Sequence, residues 1–252
     1  MAGHSKWKNI QHRKGRQDAR RAKVFTKISK EIFASVRSGG DDTTTNTRLR
    51  LALQKAKEAN MPNDNIDRTI KKALGDVDGV QYEEILYEGY GPGGVAVMVE
   101  ALTDNRNRSA ADIRHIFNKN SGNLGETGCV SYLFERKGVL SFTKSDSPLS
   151  EEEVMLEALE AGAEDITDDE SSFEIYTTPQ AYEEVKEGLE AQGVSFDSSE
   201  ITMVPATYVA LHGEDAEQML KLIDALEDND DVQNVYSNVE MDNETVERLS
   251  HN

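Results

Sequence analysis

The chain has a single cysteine, Cys129, in 252 residues. An internal disulfide is therefore excluded, and so is a CxxC-type metal site. One thiol fits a reducing compartment, and a cytoplasmic protein is the expectation. No run of 18 apolar residues occurs, so no transmembrane helix and no membrane partner are expected. The start lacks an apolar core of the secretory type. It is Arg-rich and acid-poor, like a mitochondrial transit peptide, but the basic segment runs without a break into a patterned helix, which argues against a removable leader. Aromatic residues are 6 %, too few for base stacking to be the main means of holding a nucleic acid.

Catalytic signatures are missing as well. The five histidines, at 4, 12, 115, 212 and 251, show neither HExxH nor tight ligand spacing, so no metal is expected. There is no GxxxxGK[ST] loop and no GxSxG. Cys129 lies in a glycine-rich loop without a paired base. Gly89-Tyr90-Gly91-Pro92-Gly93-Gly94 formally matches GxGxxG, but VAVMVE follows it. A dinucleotide fingerprint needs a helix there, so a glycine-rich hairpin is expected instead. The clusters Glu151-Glu152-Glu153 and Asp228-Asn229-Asp230-Asp231 lack the order of a calcium loop and read as solvated helix faces. No enzyme, cofactor or small-molecule substrate is expected.

Positive charge is scarce overall but concentrated. The formal charge is −19, yet residues 1–72 hold 18 Lys/Arg against 7 Asp/Glu, a formal +11. Residues 73–252 hold 10 against 40, a formal −30. Such asymmetry within one chain points to polyanion contact by the basic part. Arg13, Arg16, Arg20, Lys23, Lys27 and Lys30 are spaced three or four apart, which makes one stripe on a helix. Like charges in a row repel, so helix stability alone would not select them. Docking on the chain's own acidic part would also neutralise the row. The density of the stripe, with Lys6, Lys8 and Lys14 leading into it, favours an external polyanion.

The apolar period predicts three helices, over 15–37, 48–59 and from Pro62 to Gly75. It then changes. Strands are predicted at 82–90 and 95–103, a helix at 109–117, and strands at 131–135 and 139–142 around a turn at Arg136-Lys137-Gly138. Further on come a helix at 151–161, a strand at 173–177, a helix at 179–192, a strand within 194–204, a helix at 215–227 and a strand at 232–237. The stretches 158–166, 188–196 and 225–235 echo one another as acidic helix ends running into strands. The fold class is α+β, with layers of the ferredoxin-like kind. Asn105, Arg106, Asn107 and Arg108 precede a helix and could hold an anion. A plain helix cap, with the arginines answering local acids, is the simpler account.

MAGHSKW, RRAKVFTKISKEI, Asn60-Met61-Pro62, LYEGYGPGGVAVMVE, TDNRNRSAADIRHIFNKNSGNLG and LIDALEDNDDVQNVY together resemble the YebC family over essentially the whole chain. That resemblance implies three domains: an all-helical N-terminal domain and two α+β domains, one inserted in the other. On this sequence they would be 1–77, 78–131 with 206–240, and an acidic insertion at 132–205. Members are labelled probable transcriptional regulators. Others, including a mitochondrial translational activator of cytochrome oxidase, look like ribosome-associated translation factors that relieve stalling on proline-rich stretches. The implied contact residues are Lys6, Lys8, Arg13, Lys14, Arg16, Arg20, Arg21, Lys23, Lys27 and Lys30. Trp7 would either stack there or anchor the segment on the helices. No catalytic set is implied.

Between rRNA on the ribosome and promoter DNA, the charge layout favours rRNA. A long duplex would pass the −30 remainder, although screening limits that repulsion to about 8 Å at physiological salt. The loop DDTTTNT is also too long for the tight turn of a helix-turn-helix. A protein partner for the acidic domains is the third expectation.

Overall fold

Three helices open the described chain: α1 (Gln17–Gly39), α2 (Thr47–Glu58) and α3 (Asn63–Gly75). The computed structural model describes residues 17–75, 79–168, 172–241 and 245, with side chains from Arg21 onward. α1 buries Ile28, Ile32, Phe33 and Val36 against Leu49, Ala52 and Ala56 of α2, with Met61 and Ala73 closing the cluster. Gly40, at φ 77°, ends α1 in the left-handed region where glycine carries no Cβ penalty. The buried Asn46 then does two jobs. Its Oδ1 accepts from the Leu49 N–H at 3.0 Å, capping α2. Its Nδ2 donates to Ser35 O at 2.8 Å and Gly40 O at 2.7 Å, satisfying carbonyls at the end of α1.

The remaining elements are β1 (Glu83–Tyr90), β2 (Ala96–Thr103), α4 (Arg106–Lys119), β3 (Asn123–Leu124), β4 (Phe134–Thr143), α5 (Glu151–Glu160), β5 (Asp165–Asp168), β6 (Ser172–Thr177), α6 (Tyr182–Ala191), β7 (Ser198–Pro205), β8 (Val209–Ala210), α7 (Gly213–Glu227), β9 (Val232–Ser237) and β10 (Val239–Glu240). The class is α+β, a helical N-terminal region followed by sheets. β1 and β2 pair antiparallel from Glu83↔Thr103 to Tyr90↔Ala96. Gly91–Gly94 joins them as the expected glycine-rich hairpin, with Gly93 at φ 66°. Gly91 is required sterically: a Cβ there would lie 2.6 Å from Met219 Sδ on α7.

Among the described residues the chain divides into two compact units, 17–129 with 217–235, and 130–216 with 236–241 and 245. The first unit holds α1 to α3 and a sheet ordered β3-β1-β2-β9. The second holds a sheet ordered β5-β6-β4-β7, and β8 pairs parallel with β10. From β4 to β7 the chain runs strand-helix-strand-strand-helix-strand, the ferredoxin-like split βαβ. The first sheet has the same spatial order once β1 takes the place after β3. The three echoing stretches lie where α5 leads to β5, α6 to β7 and α7 to β9, equivalent joints of the two layers.

One expectation is corrected. Arg136-Lys137-Gly138 is no turn: β4 runs unbroken from Phe134 to Thr143 as a central strand, paired with β6 and β7. The β7 ladder holds all three residues extended, the β6 ladder joins at Gly138, and Lys137 reaches Glu135 and Glu164. Gly138 is there for space. A Cβ would sit 2.3 Å from Thr177 Oγ1 and 2.6 Å from the Tyr182 ring, and both residues are buried. Gly138→Ala is therefore expected to destabilise the fold by about 1–3 kcal/mol through overpacking. A urea titration with an unchanged slope and a lower midpoint would show it, and an unshifted midpoint would refute it.

Candidate nucleic-acid interface

The basic stripe begins outside the described residues. Lys6, Trp7, Lys8, Arg13, Lys14 and Arg16 lie there, and Arg20 is described in its backbone only. Arg21 is exposed and lies over the Phe25 ring, 5.7 Å from its centroid.

The three lysines that follow have internal partners. Lys23 Nζ bonds the Asp228 carboxylate at 2.5 Å and its carbonyl at 3.1 Å. Lys27 Nζ donates to Glu227 O at 2.5 Å. Lys30 Nζ donates to Asp230 O and to Asp231 Oδ1, both at 2.8 Å. The acceptors lie at and just beyond the C-terminal end of α7, where the last carbonyls lack helical partners and the helix dipole is negative. α7 has no basic residue in its own last turn, so α1 supplies the positive charge. Burial pushes the Lys27 ammonium pKa down, and the carboxylates of Glu227, Asp230 and Asp228 only partly offset it.

Asp231 is the centre of this contact and is 4 % exposed. Beside Lys30, its carboxylate accepts from Arg108 Nη2 at 2.9 Å, Ser109 Oγ at 2.8 Å and Thr103 Oγ1 at 3.2 Å. Its backbone carbonyl accepts from the Leu102 N–H at 2.7 Å. α1, β2, α4 and the turn before β9 thus meet at one carboxylate. Burial pushes its pKa up, but the hydrogen bonds from Lys30, Arg108 and Ser109 outweigh that and bring it down to about 2. The reading of Asp228–Asp231 as a solvated face is corrected here. The cluster terminates α7, and its last member is buried among donors.

Of the expected loop 105–108 only Asn105 precedes α4; Arg106, Asn107 and Arg108 form its first turn, and the segment is used locally. Asn105 Oδ1 caps α4 by accepting from the Arg108 N–H at 3.1 Å. Arg108 pairs with Asp104 at 2.7 Å as well as with Asp231, and those hydrogen bonds raise its pKa, Asp231 contributing most. Arg106 and Asn107 remain exposed. Five cations outside the original set stand out on the helical layer. Arg50 and Lys57 are exposed on one face of α2, and Arg68, Lys71 and Lys72 on one face of α3. Their helical spacing, seven residues between Arg50 and Lys57 and three or four from Arg68 to Lys71 and Lys72, is visible in the sequence but is sparser than the stripe on α1.

Cys129 is half-buried, and burial chiefly, with Glu88 and Glu126, pushes its thiol pKa up, the reverse of an activated nucleophile. Among the described residues no three His, Cys, Asp or Glu side chains stand together as metal ligands, and no helix is long and apolar enough to cross a membrane.

Comparison with known proteins places these features in a family. Residues 5–76 match the TACO1/YebC protein N-terminal domain, and residues 82–239 match the TACO1/YebC second and third domain. A probable transcriptional regulatory protein of Geobacillus sp. (strain WCH70) is 60% identical over 240 residues, covering 95% of this chain and 98% of that protein. One from Trichlorobacter lovleyi is 53% identical over 249 residues, covering 99% of this chain and 100% of that protein. The crystal structure of a conserved hypothetical protein from Aquifex aeolicus superposes with a TM-score of 0.75 at 50% identity, covering 89% of this chain and 92% of that one. On these matches, which span both the helical region and the sheets, the chain belongs to the TACO1/YebC family.

Proposed function

We propose that this chain is a non-enzymatic, nucleic-acid-binding factor of gene expression whose basic N-terminal region, residues 1–72, contacts phosphate. The observation that carries this reading is the +11 charge of that region against −30 for the rest. Lys23, Lys27 and Lys30 have partners within the chain, so the load falls on Lys6, Lys8, Arg13, Lys14, Arg16, Arg20 and Arg21, with Arg50, Lys57, Arg68, Lys71 and Lys72 beside them. Trp7 and the pair Arg106 and Asn107 are secondary contact residues. The working division of the chain is 1–77 for nucleic acid, 78–131 with 206–240 as the central domain, and 132–205 as the acidic insertion.

The target we favour is rRNA on the ribosome, with relief of stalling on proline-rich stretches as the activity. A second reading, a DNA-binding transcriptional regulator, is favoured by the names of the relatives. It also draws on the connection between α2 and α3: four residues, Ala59–Pro62, with Asn60 at φ 54°, which is the length of a helix-turn-helix turn. Against it, the start of α3 carries Asn63, Asp64, Asn65 and Asp67. Two carboxylates at the end that would enter the major groove repel phosphate and can accept only from the exocyclic amines of cytosine and adenine.

Co-sedimentation with ribosomes across a salt series, beside titration with a pool of genomic duplexes, decides the matter. Salt-sensitive ribosome binding, with duplex binding only weak and unselective, is the expected result. Tight, sequence-selective duplex binding at physiological salt without ribosome association would overturn the ribosomal reading. No binding to either would overturn the nucleic-acid reading itself.

A further inference from the structure

In the second compact unit, α5 and α6 cover one face of the sheet. They bury Val154, Ala158, Val185 and Leu189 with the strand residues Leu140, Phe142, Phe173 and Ile175. The opposite side of α5 is apolar too. Leu156 is 56% exposed, Leu159 57% and Met155 37%. Their spacing puts all three on the helix surface away from Val154 and Ala158. Two exposed leucines and a methionine on one short helix make a patch rather than scattered apolar residues.

The surroundings of the patch are strongly acidic. α5 and α6 together carry nine glutamates and one lysine, Lys186. Some of these acids have local reasons. Glu151, Glu152 and Glu153 lie in the first turn of α5, where the dipole favours them, and Glu153 completes a capping box with Ser150. The others do not. Glu160 and Glu190 lie in the last turns, at the negative ends of the dipoles, and neither helix has a basic residue in its last turn. Glu160 and Glu190, at the wrong helix ends beside an apolar centre, oppose folding and would be relieved by a positive partner.

We propose that the outer surface of α5 and α6 is a docking face for a basic amphipathic helix of a protein partner, with apolar side chains on Leu156 and Leu159 and Lys or Arg on both flanks. Charge complementarity selects this occupant. The face repels nucleic acid and anionic lipid, while a helix with apolar anchors at i, i+3, i+4 and i+7 and cationic flanks matches both its centre and its rim. The inference stands independently of the nucleic-acid reading, since it uses no residue of the basic region.

The test uses the full chain and a synthetic 18-residue Leu/Lys peptide with its leucines on one helical face. A control peptide has the same composition with the leucines spread around the helix. At physiological salt the amphipathic peptide should bind about tenfold more tightly than the control, and Leu156→Ser with Leu159→Ser should abolish that difference, the two side chains accounting for a loss of this order. Both leucines are exposed, so the variant should fold. On the unmodified protein, amide exchange across 151–160 should slow when the peptide binds. Equal affinity for the two peptides, or unchanged exchange in α5, would overturn the proposal. Self-association of the chain that the double substitution abolishes would also overturn it, assigning the face to a second copy.

Discussion

Asp231→Ala should lower the stability of the unit built from α1 to α4 and the first sheet by about 3 kcal/mol, the cost of leaving the largely buried Lys30 ammonium without its carboxylate. The mechanism is specific. Removal of the carboxylate leaves Lys30 Nζ with only the Asp230 carbonyl, and strips Ser109 Oγ and Arg108 of their shared acceptor. Chemical denaturation followed by far-ultraviolet circular dichroism measures the change. A loss below about 1 kcal/mol, typical of an exposed ion pair, would refute the central role given to this residue.

The same group makes a pH prediction whose sign is fixed by linkage. The folded pKa of Asp231, about 2, is depressed from an ordinary 3.8. The folded state therefore binds its proton less readily, and the contribution is complete above the unfolded value. It is lost as pH falls from about 4 through 2, and amounts to roughly 2 kcal/mol for a depression of this size. The stability difference between the unmodified protein and Asp231→Ala should shrink by that amount between pH 6 and pH 2. A difference that stays constant over this range would show that the charge of Asp231 contributes nothing to its bonds.

Charge reversal along the basic stripe should separate into two behaviours. Arg13→Glu, Arg16→Glu and Arg20→Glu together should reduce polyanion affinity on the order of a hundredfold at low salt, and reduce the salt slope by about 2–3. Their effect on folding should be small. Lys30→Glu should do the opposite. It sets a second carboxylate against Asp231, so the loss should appear as about 3–5 kcal/mol of stability, with little change in salt slope where the protein stays folded. Lys23→Glu should lie between, because the exposed pair with Asp228 is worth no more than about 1 kcal/mol. Filter binding of labelled RNA from 50 to 200 mM salt, paired with denaturation of each variant, measures both. If Lys30→Glu lowered the salt slope as much as the arginine triple, the internal docking would not persist in the complex.

The lysines of α1 show why a stripe legible in the sequence need not face outward along its whole length. A row of lysines at helical spacing is legible in the sequence because period and charge are local properties. Which part of the row faces a partner is not local. Lys23, Lys27 and Lys30 meet residues about 200 positions away, at the end of α7, and that encounter depends on how the helical region folds onto the first sheet. On sequence grounds, docking on the chain's own acidic part is the lesser alternative. For these three lysines it is the observed geometry.

The sequence by itself determined the helices and most of the longer strands, because apolar period, caps and glycine breaks act over a few residues; the short strands β3, β5, β8 and β10 carry too few residues for a period to show. The helices at 17–39, 47–58 and 63–75, the hairpin of β1 and β2, and the class α+β all follow from such signals. It also determined the charge asymmetry and the family resemblance. Tertiary structure decided the rest. Arg136-Lys137-Gly138 has turn composition, yet pairing with β7 holds it extended, and the need for a glycine comes from Thr177 on β6 and Tyr182 on α6. Asp231 has the composition of a solvated acid, yet Lys30, Thr103, Arg108 and Ser109 converge on it from three elements. The physical reason is the same in both cases. A side chain's energy depends on burial and on partners that chain folding brings from far along the sequence, and neither is written in its neighbours.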